Sequence, residues 1–277
     1  MKHFFSEKAN LKKVKLLIVV YFTLSNLSAQ HWQWQKDLLL KKTTTAAIDR
    51  NKNIYIADEQ GNVFKTDTLG NILLQYTAQM PNEVHTIESW LTMKTLLFYQ
   101  ITQQIVILNR FLQQPITWEL PPEQVGFAQA ANWSADEQVW IFDVSDFHLK
   151  KFHLNTQEVT FAIALDVIWK KKNSQVLYLK EYQNQVFLCD ETLGIACFDL
   201  LGNHKYTLPF LGIKHIGVAG NQIYFLQENT LVFFDLYEKT IQKWELPEKK
   251  QPKFAIYVDS FVFLAFESEI QLYKVFP

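Results

Sequence analysis

Trp118-Glu119-Leu120-Pro121 returns unchanged as Trp244-Glu245-Leu246-Pro247, 126 residues further on, and a weaker echo, Thr207-Leu208-Pro209, lies between the two. Because 126 is three times 42, the chain reads as a tandem repeat whose unit slightly exceeds forty residues. Aligning the most apolar run of each unit supports this. The runs are Tyr55-Ile56-Ala57-Asp58, Leu97-Phe98-Tyr99-Gln100, Trp140-Ile141-Phe142-Asp143, Phe187-Leu188-Cys189-Asp190, Tyr224-Phe225-Leu226-Gln227 and Val262-Phe263-Leu264-Ala265, with intervals of 42, 43, 47, 37 and 38 residues. Six copies result, each with an apolar strand before the aligned one and polar corners on either side of it, followed by two strands in the first five copies and one in the sixth. Four short strands at this period define propeller blades. The expected fold is therefore an all-β, six-bladed β-propeller with four antiparallel strands per blade.

Proline suits the end of an outer edge strand because it has no N–H to give to a ladder. The Trp and Leu of the repeated tetrapeptide are expected to pack against the neighbouring blade, which makes Trp118 and Trp244 structural. The sixth unit ends after three strands, Phe254 to Val258, Phe261 to Phe266 and Ile270 to Val275. The segment Trp32 to Leu40 precedes the first unit with no place in it. Pairing that segment as the outer strand of the last blade closes the ring and covers an edge.

The N-terminus has the layout of a secretory signal. Lys8, Lys12, Lys13 and Lys15 precede the apolar run Leu16 to Leu27, followed by Ser28-Ala29-Gln30. This run is shorter than the ~20 residues that cross a bilayer. The expected organisation is a signal peptide, 1–29, and one propeller domain, 30–277. A retained anchor is the alternative, because Leu27 is large for its position before the junction. Removing 1–29 takes away five Lys and one Glu, so 22 cationic residues face 27 acidic ones and the remainder carries −5. That sign argues against general nucleic-acid binding. The expected location is outside the cytoplasm, periplasmic or extracellular, with no membrane span once the signal is removed.

The stretch from Ile48 to Asp58, with Gly61-Asn62-Val63-Phe64-Lys65-Thr66-Asp67 and Leu69-Gly70-Asn71, resembles one NHL-type propeller blade. The ring as a whole resembles six-bladed propellers of the NHL and TolB-like type, and exported propellers of Bacteroidota-type bacteria. The resemblance covers the architecture of all six units and the motif of one. It implies a fold and carries no activity with it.

No His pair has metal-ligand spacing, and neither a Gly-x-Ser-x-Gly elbow nor a phosphate loop occurs. No metal or cofactor is expected. Export allows a disulfide between Cys189 and Cys197. A three-residue hairpin connection with Gly194 in the left-handed position would set the two opposite each other. Buried apolar packing is the alternative for both.

The corner after each aligned strand is acidic in five units, holding Asp58 and Glu59, Asp143 and Asp146, Asp190 and Glu191, Glu228, and Glu267. All these corners fall on one face of a propeller, so Glu59, Asp146, Glu191, Glu228 and Glu267 are candidate binding residues in a negative ring. The alternative is turn chemistry, since Asp favours tight corners by local hydrogen bonding. Trp169 with Lys170, Lys171 and Lys172 forms a candidate contact in the longest blade-to-blade connection. Lys249, Lys250 and Lys253 form a second basic cluster, and Trp133 is a further candidate for glycan stacking.

The functional expectation is a monomeric, non-catalytic scaffold for a protein or glycan partner. The alternative is a propeller hydrolase or lyase with a loop-built site at the central opening. An enzyme should show a convergent polar pocket there with a metal or strongly perturbed acids, whereas a platform should show a charged or apolar patch and a plain channel.

Overall fold

The computed structural model of the protein describes residues 30–40, 42–89, 93–166 and 174–276. It contains six four-stranded antiparallel sheets and, among the described residues, no helix. Blade 1 comprises β2 (Thr43–Ile48), β3 (Ile54–Asp58), β4 (Val63–Thr66) and β5 (Ile72–Tyr76). Blade 2 comprises β6 (Thr86–Glu88), β7 (Thr95–Tyr99), β8 (Gln104–Leu108) and β9 (Ile116–Glu119). Blade 3 follows with β10 (Ala128–Trp133), β11 (Val139–Asp143), β12 (His148–His153) and β13 (Glu158–Ala164). Blade 4 is β14 (Val176–Tyr182), β15 (Gln185–Asp190), β16 (Gly194–Asp199) and β17 (His204–Leu208). Blade 5 is β18 (Gly217–Ala219), β19 (Gln222–Gln227), β20 (Thr230–Asp235) and β21 (Ile241–Glu245).

Blade 6 takes β22 (Phe254–Val258), β23 (Phe261–Ala265) and β24 (Ile270–Phe276) from the C-terminal end and completes itself with β1 (His31–Leu38). The closing pair runs antiparallel from His31 opposite Phe276 to Leu38 opposite Ile270, with one bulge between Trp34 and Lys36. Closure by the N-terminal strand is therefore as the unpaired segment predicts. The signal segment lies outside the described residues. No helix among the described residues is long and apolar enough to cross a membrane.

Burial follows from the layered arrangement. Second strands are covered on both faces and are apolar through their centres, as in β7 and β11, where every residue is buried, whereas first strands carry buried polar residues such as Glu88 and Lys180. Outer strands alternate, as in β13. The core is divided into six clusters, each joining two adjacent blades. Trp118 packs with Leu120 in the cluster between blades 2 and 3, and Trp244 with Leu246 in the one between blades 5 and 6. Leu120 N–H donates to Gln103 O at 2.9 Å and Leu246 N–H to Asn229 O at 3.0 Å. The repeated tetrapeptide thus folds the end of an outer strand back onto the corner of its own blade and leaves its Leu in the seam with the next.

The corners have one recurring construction. In Asp49 to Asn53, Asp58 to Asn62, Asp67 to Asn71 and Asp199 to Asn203, one Asp oxygen accepts the amides two and four residues on, at 2.8 to 2.9 Å. The other oxygen accepts the terminal Asn side chain. The fourth residue has positive φ, which Gly61, Gly70 and Gly202 adopt without a steric penalty.

The hairpin between β15 and β16 differs from expectation. Asp190 stands opposite Gly194, where the expected register paired Glu191 with Ile195 and Cys189 with Cys197, so Cys189 faces Ile195 and Cys197 faces Phe187. The Asp190 carboxylate accepts the amides of Thr192 and Leu193, which sets the turn one residue earlier on the first strand. Cys189 and Cys197 become diagonal neighbours on one face, ~7–8 Å apart by strand geometry, beyond disulfide reach. Both are free, fully buried, and part of the seam between blades 4 and 5. Burial pushes both thiols above their ordinary range.

Candidate functional site

The first strands of the blades surround the axis, with β2 touching β6 and β22, β6 touching β10, β10 touching β14, and β18 touching β22. Sheets radiating from an axis leave a gap that side chains must fill, and here they are polar. Glu88 on β6 and Lys180 on β14 form an ion pair between blades 2 and 4, past the intervening blade, with both residues buried. Asn132 donates to Leu179 O at 2.7 Å. Glu181 accepts from Ser134 Oγ at 2.7 Å and from the Trp140 indole at 2.5 Å. The Glu88–Lys180 pair spans non-adjacent blades, and the other bonds tie blade 3 to blade 4 beside it.

Above this plug, on the face where the first strands begin, lies a cavity of about 580 Å³. Its walls come from blades 1, 2, 4, 5 and 6 through Thr43, Thr44 and Thr45, Glu83 to His85, Leu177, Gly212 to His215, Phe225 and Leu226, and Gln251 to Ala255. His215 arrives from the connection before β18 and reaches across blade 6, where Nε2 lies 2.8 Å from Ala46 O. A carbonyl can only accept, so Nε2 carries the proton and Nδ1 keeps its lone pair. Protein encloses His215, with Tyr178 and Phe254 against its ring at 5.2 and 6.1 Å, while one edge stays open to the cavity. Burial pushes its imidazole down to about 4; the bond to Ala46 opposes this and the nearby Lys180 charge adds to it. Burial lowers His85 as well. Thr43 Oγ1 is fully buried in the cavity wall and has no hydrogen-bond partner, and Lys214 on the rim has no ion pair among the described residues.

The His215 shift gives a prediction. Between pH 6.5 and about 4 the unfolded chain binds a proton at this site that the folded chain does not, so stability falls as pH drops through that window. Urea midpoints measured from pH 7.5 to 4.5 should decline more steeply for the wild type than for His215→Gln. Parallel curves would mean that the imidazole protonates equally well in both states.

The sequence candidates fare unevenly. The corners lie on the cavity's face, but Glu59, Asp146 and Glu267 do not form an uncompensated ring. Lys42 pairs with Glu59 at 2.7 Å, Lys150 with Asp146 at 2.6 Å, and Lys253 with Glu267 at 2.6 Å. Lys150 also holds the buried Asp143, which accepts the amides of Gly126 and Phe127. Glu191 and Glu228 are exposed. Corner chemistry accounts for Asp58, Asp143 and Asp190. Trp133, 5% exposed, belongs to the core between blades 2 and 3 and offers no stacking surface. Trp169 and Lys170 to Lys172 lie outside the described residues. Of the second basic cluster, Lys253 lines the cavity and Lys250 covers the Phe266 ring. The sequence reading missed His85, Lys214 and His215; the last two are neighbours in the connection before β18, and His85 precedes β6 in another blade, 129 residues from Lys214. Among the described residues, no group of three or more His, Cys, Asp or Glu is arranged to hold a metal.

Ring, closure and seams together define the chain as a six-bladed β-propeller. No family model matches the sequence, and no curated protein is significantly similar to it. Solved structures share the fold at low identity. A Bacteroides thetaiotaomicron structural-genomics protein of unknown function aligns with TM-score 0.62 and 13% identity over 90% of this chain and 76% of that one. The Neurospora crassa Pan2 WD40 domain gives 0.61 and 8% over 88% and 95%. A streptogramin B lyase gives 0.59 and 9% over 89% and 98%.

Proposed function

We propose that the protein is an exported, non-catalytic propeller scaffold that receives a protruding group of a protein or glycan partner in the channel-mouth cavity. The observation that carries this reading is the cavity itself. It has the volume of a ligand site and a closed floor. Its polar side chains converge from four blades, and among the described residues the buried Thr43 hydroxyl is unpartnered and the Lys214 ammonium has no ion pair. An unpaired buried hydroxyl costs folding free energy that a bound group can return. With the Glu59, Asp146 and Glu267 corners neutralised by Lys42, Lys150 and Lys253, Lys214 is a cation at the mouth with no ion pair among the described residues and is the local attraction for an acidic or hydroxyl-rich partner.

The test is affinity capture from native envelope proteins and isolated envelope glycans. A partner should be retained by the wild type and by Lys243→Gln, an exposed outer-strand control. Lys214→Glu should weaken its binding about tenfold, the loss of one charge-assisted contact. Retention unaffected by Lys214→Glu would overturn the reading.

A second reading, a propeller lyase or hydrolase, is favoured by the two neutral imidazoles at the same mouth. The inactive His variant described for a virginiamycin B lyase from Staphylococcus aureus, with which this chain shares 11% identity, sits on a similar fold. Covalent change in the captured partner, abolished by His215→Ala with binding retained, would establish that reading over the first.

A further inference from the structure

The chain has only two arginines, Arg50 and Arg110, against 25 lysines, and both line the same cavity. This cavity, about 700 Å³, lies between blades 1 and 2 on the face opposite the channel mouth. Each arginine is the second residue of a five-residue corner. Asp49 accepts the amides of Asn51 and Asn53, and Asn109 those of Phe111 and Gln113. Corners of the same construction carry Glu59, Thr68 and Leu200 at that place, so corner geometry does not call for arginine.

The charges around the groove are otherwise balanced. Lys65 lies 3.4 Å from Asp49, which also accepts from the Asn53 side chain and the Tyr55 hydroxyl. Lys94 lies 3.6 Å from Glu137. Among the described residues neither arginine has an ion pair, and Arg110 lies 4.7 Å over the Phe111 ring, which orients it. Both arginines therefore line the groove without an ion pair among the described residues, and the Arg50 charge is also felt at Tyr182 of blade 4. Ser89 belongs to the same wall and is 3% exposed, and its buried Oγ has no hydrogen-bond partner among the described residues. Leu73, Met93 and Phe111 supply exposed apolar surface beside them.

We propose that this groove is a binding site for a dianionic ligand, a phosphate monoester or a dicarboxylate, whose oxygens are forked by Arg50 and Arg110 and receive a hydrogen bond from Ser89. Guanidinium forks match oxyanion geometry in a way that the many lysines of this chain do not. Two positive charges match two negative ones, and the apolar border accommodates the body that carries them. The site stands apart from the channel mouth, so failure at either leaves the other intact.

The experiment is calorimetric titration of the full chain at low ionic strength with inorganic phosphate and, separately, with succinate. Binding by phosphate alone identifies a tetrahedral oxyanion, and binding by succinate alone a dicarboxylate; either result supports the site. Arg50→Gln and Arg110→Gln should each weaken binding on the order of tenfold, as expected for a lost charge-assisted pair. Arg50→Lys should not restore it. Ser89→Ala should weaken binding a few-fold without lowering the melting temperature, since it removes an unsatisfied hydroxyl. The proposal is overturned if neither probe binds at millimolar concentration, if both Gln variants bind as the wild type does, or if Lys243→Gln weakens binding equally.

Discussion

Glu88→Gln is expected to lower the unfolding free energy by about 3–5 kcal/mol, because it leaves the Lys180 ammonium buried at the axis with no counter-ion. Lys180 is 5% exposed and Glu88 2%, and Glu88 is the one ion partner of Lys180 among the described residues. The pair is not expected to be a net source of stability. Desolvating two charges costs about as much as their attraction returns, so Glu88→Gln with Lys180→Met should recover most of the loss. Urea unfolding of the two single variants and the double completes the cycle. A Glu88→Gln loss below about 1 kcal/mol, the range of exposed pairs, would show that water reaches the ammonium. The pair also touches the candidate site. Lys180 helps hold the His215 imidazole below its ordinary range, so Lys180→Met should move the His215 titration upward, as followed by NMR. The plug beneath the cavity is thereby linked to the acid–base state of its floor.

The parts of this molecule that were legible in the sequence are those set by local chemistry and repetition. All six aligned runs fall on second strands, β3, β7, β11, β15, β19 and β23, because a strand covered on both faces is apolar through its centre. The Trp-Glu-Leu-Pro copies marked equivalent outer-strand ends because the same seam must be filled at each. What was not legible depends on residues brought together by strand pairing within a blade and by packing between blades. The acidic corners looked like a charged ring because their Lys partners sit elsewhere in the chain: Lys42 meets Glu59 and Lys253 meets Glu267 only once β2 and β22 stand beside the corners. Trp133 looked loop-proximal, but its ring turns into the seam. In the Cys hairpin, the Asp190 carboxylate capped the turn and moved the register, a choice between two turns that residue types alone left open. His215 meets Ala46 across a whole blade, and no sequence spacing encodes that contact.

Removing residues 30–38 should cost on the order of 5 kcal/mol or more, comparable with the whole stability of many domains. β1 makes seven residue pairs with β24 and enters two seams at once. Trp32 packs edge-on against Trp244 and Tyr273, at 6.4 and 5.8 Å, in the seam between blades 5 and 6. Leu38 is buried in the seam between blades 6 and 1, and Lys36 reaches Asn71 of blade 1 at 3.4 Å. Without β1, blade 6 presents the β24 backbone as an open edge, and the first and last blades are no longer tied by chain from both ends of the sequence. Loss of cooperative thermal unfolding, with concentration-dependent association through the exposed edge, is the expected result. A synthetic peptide of residues 30–40 added in excess should restore the transition, because strand addition recreates the missing ladder. A truncated chain that unfolds at the wild-type midpoint would show that the six seams alone hold the ring. Closure by β1 would then be a cover for an edge and not a fastening.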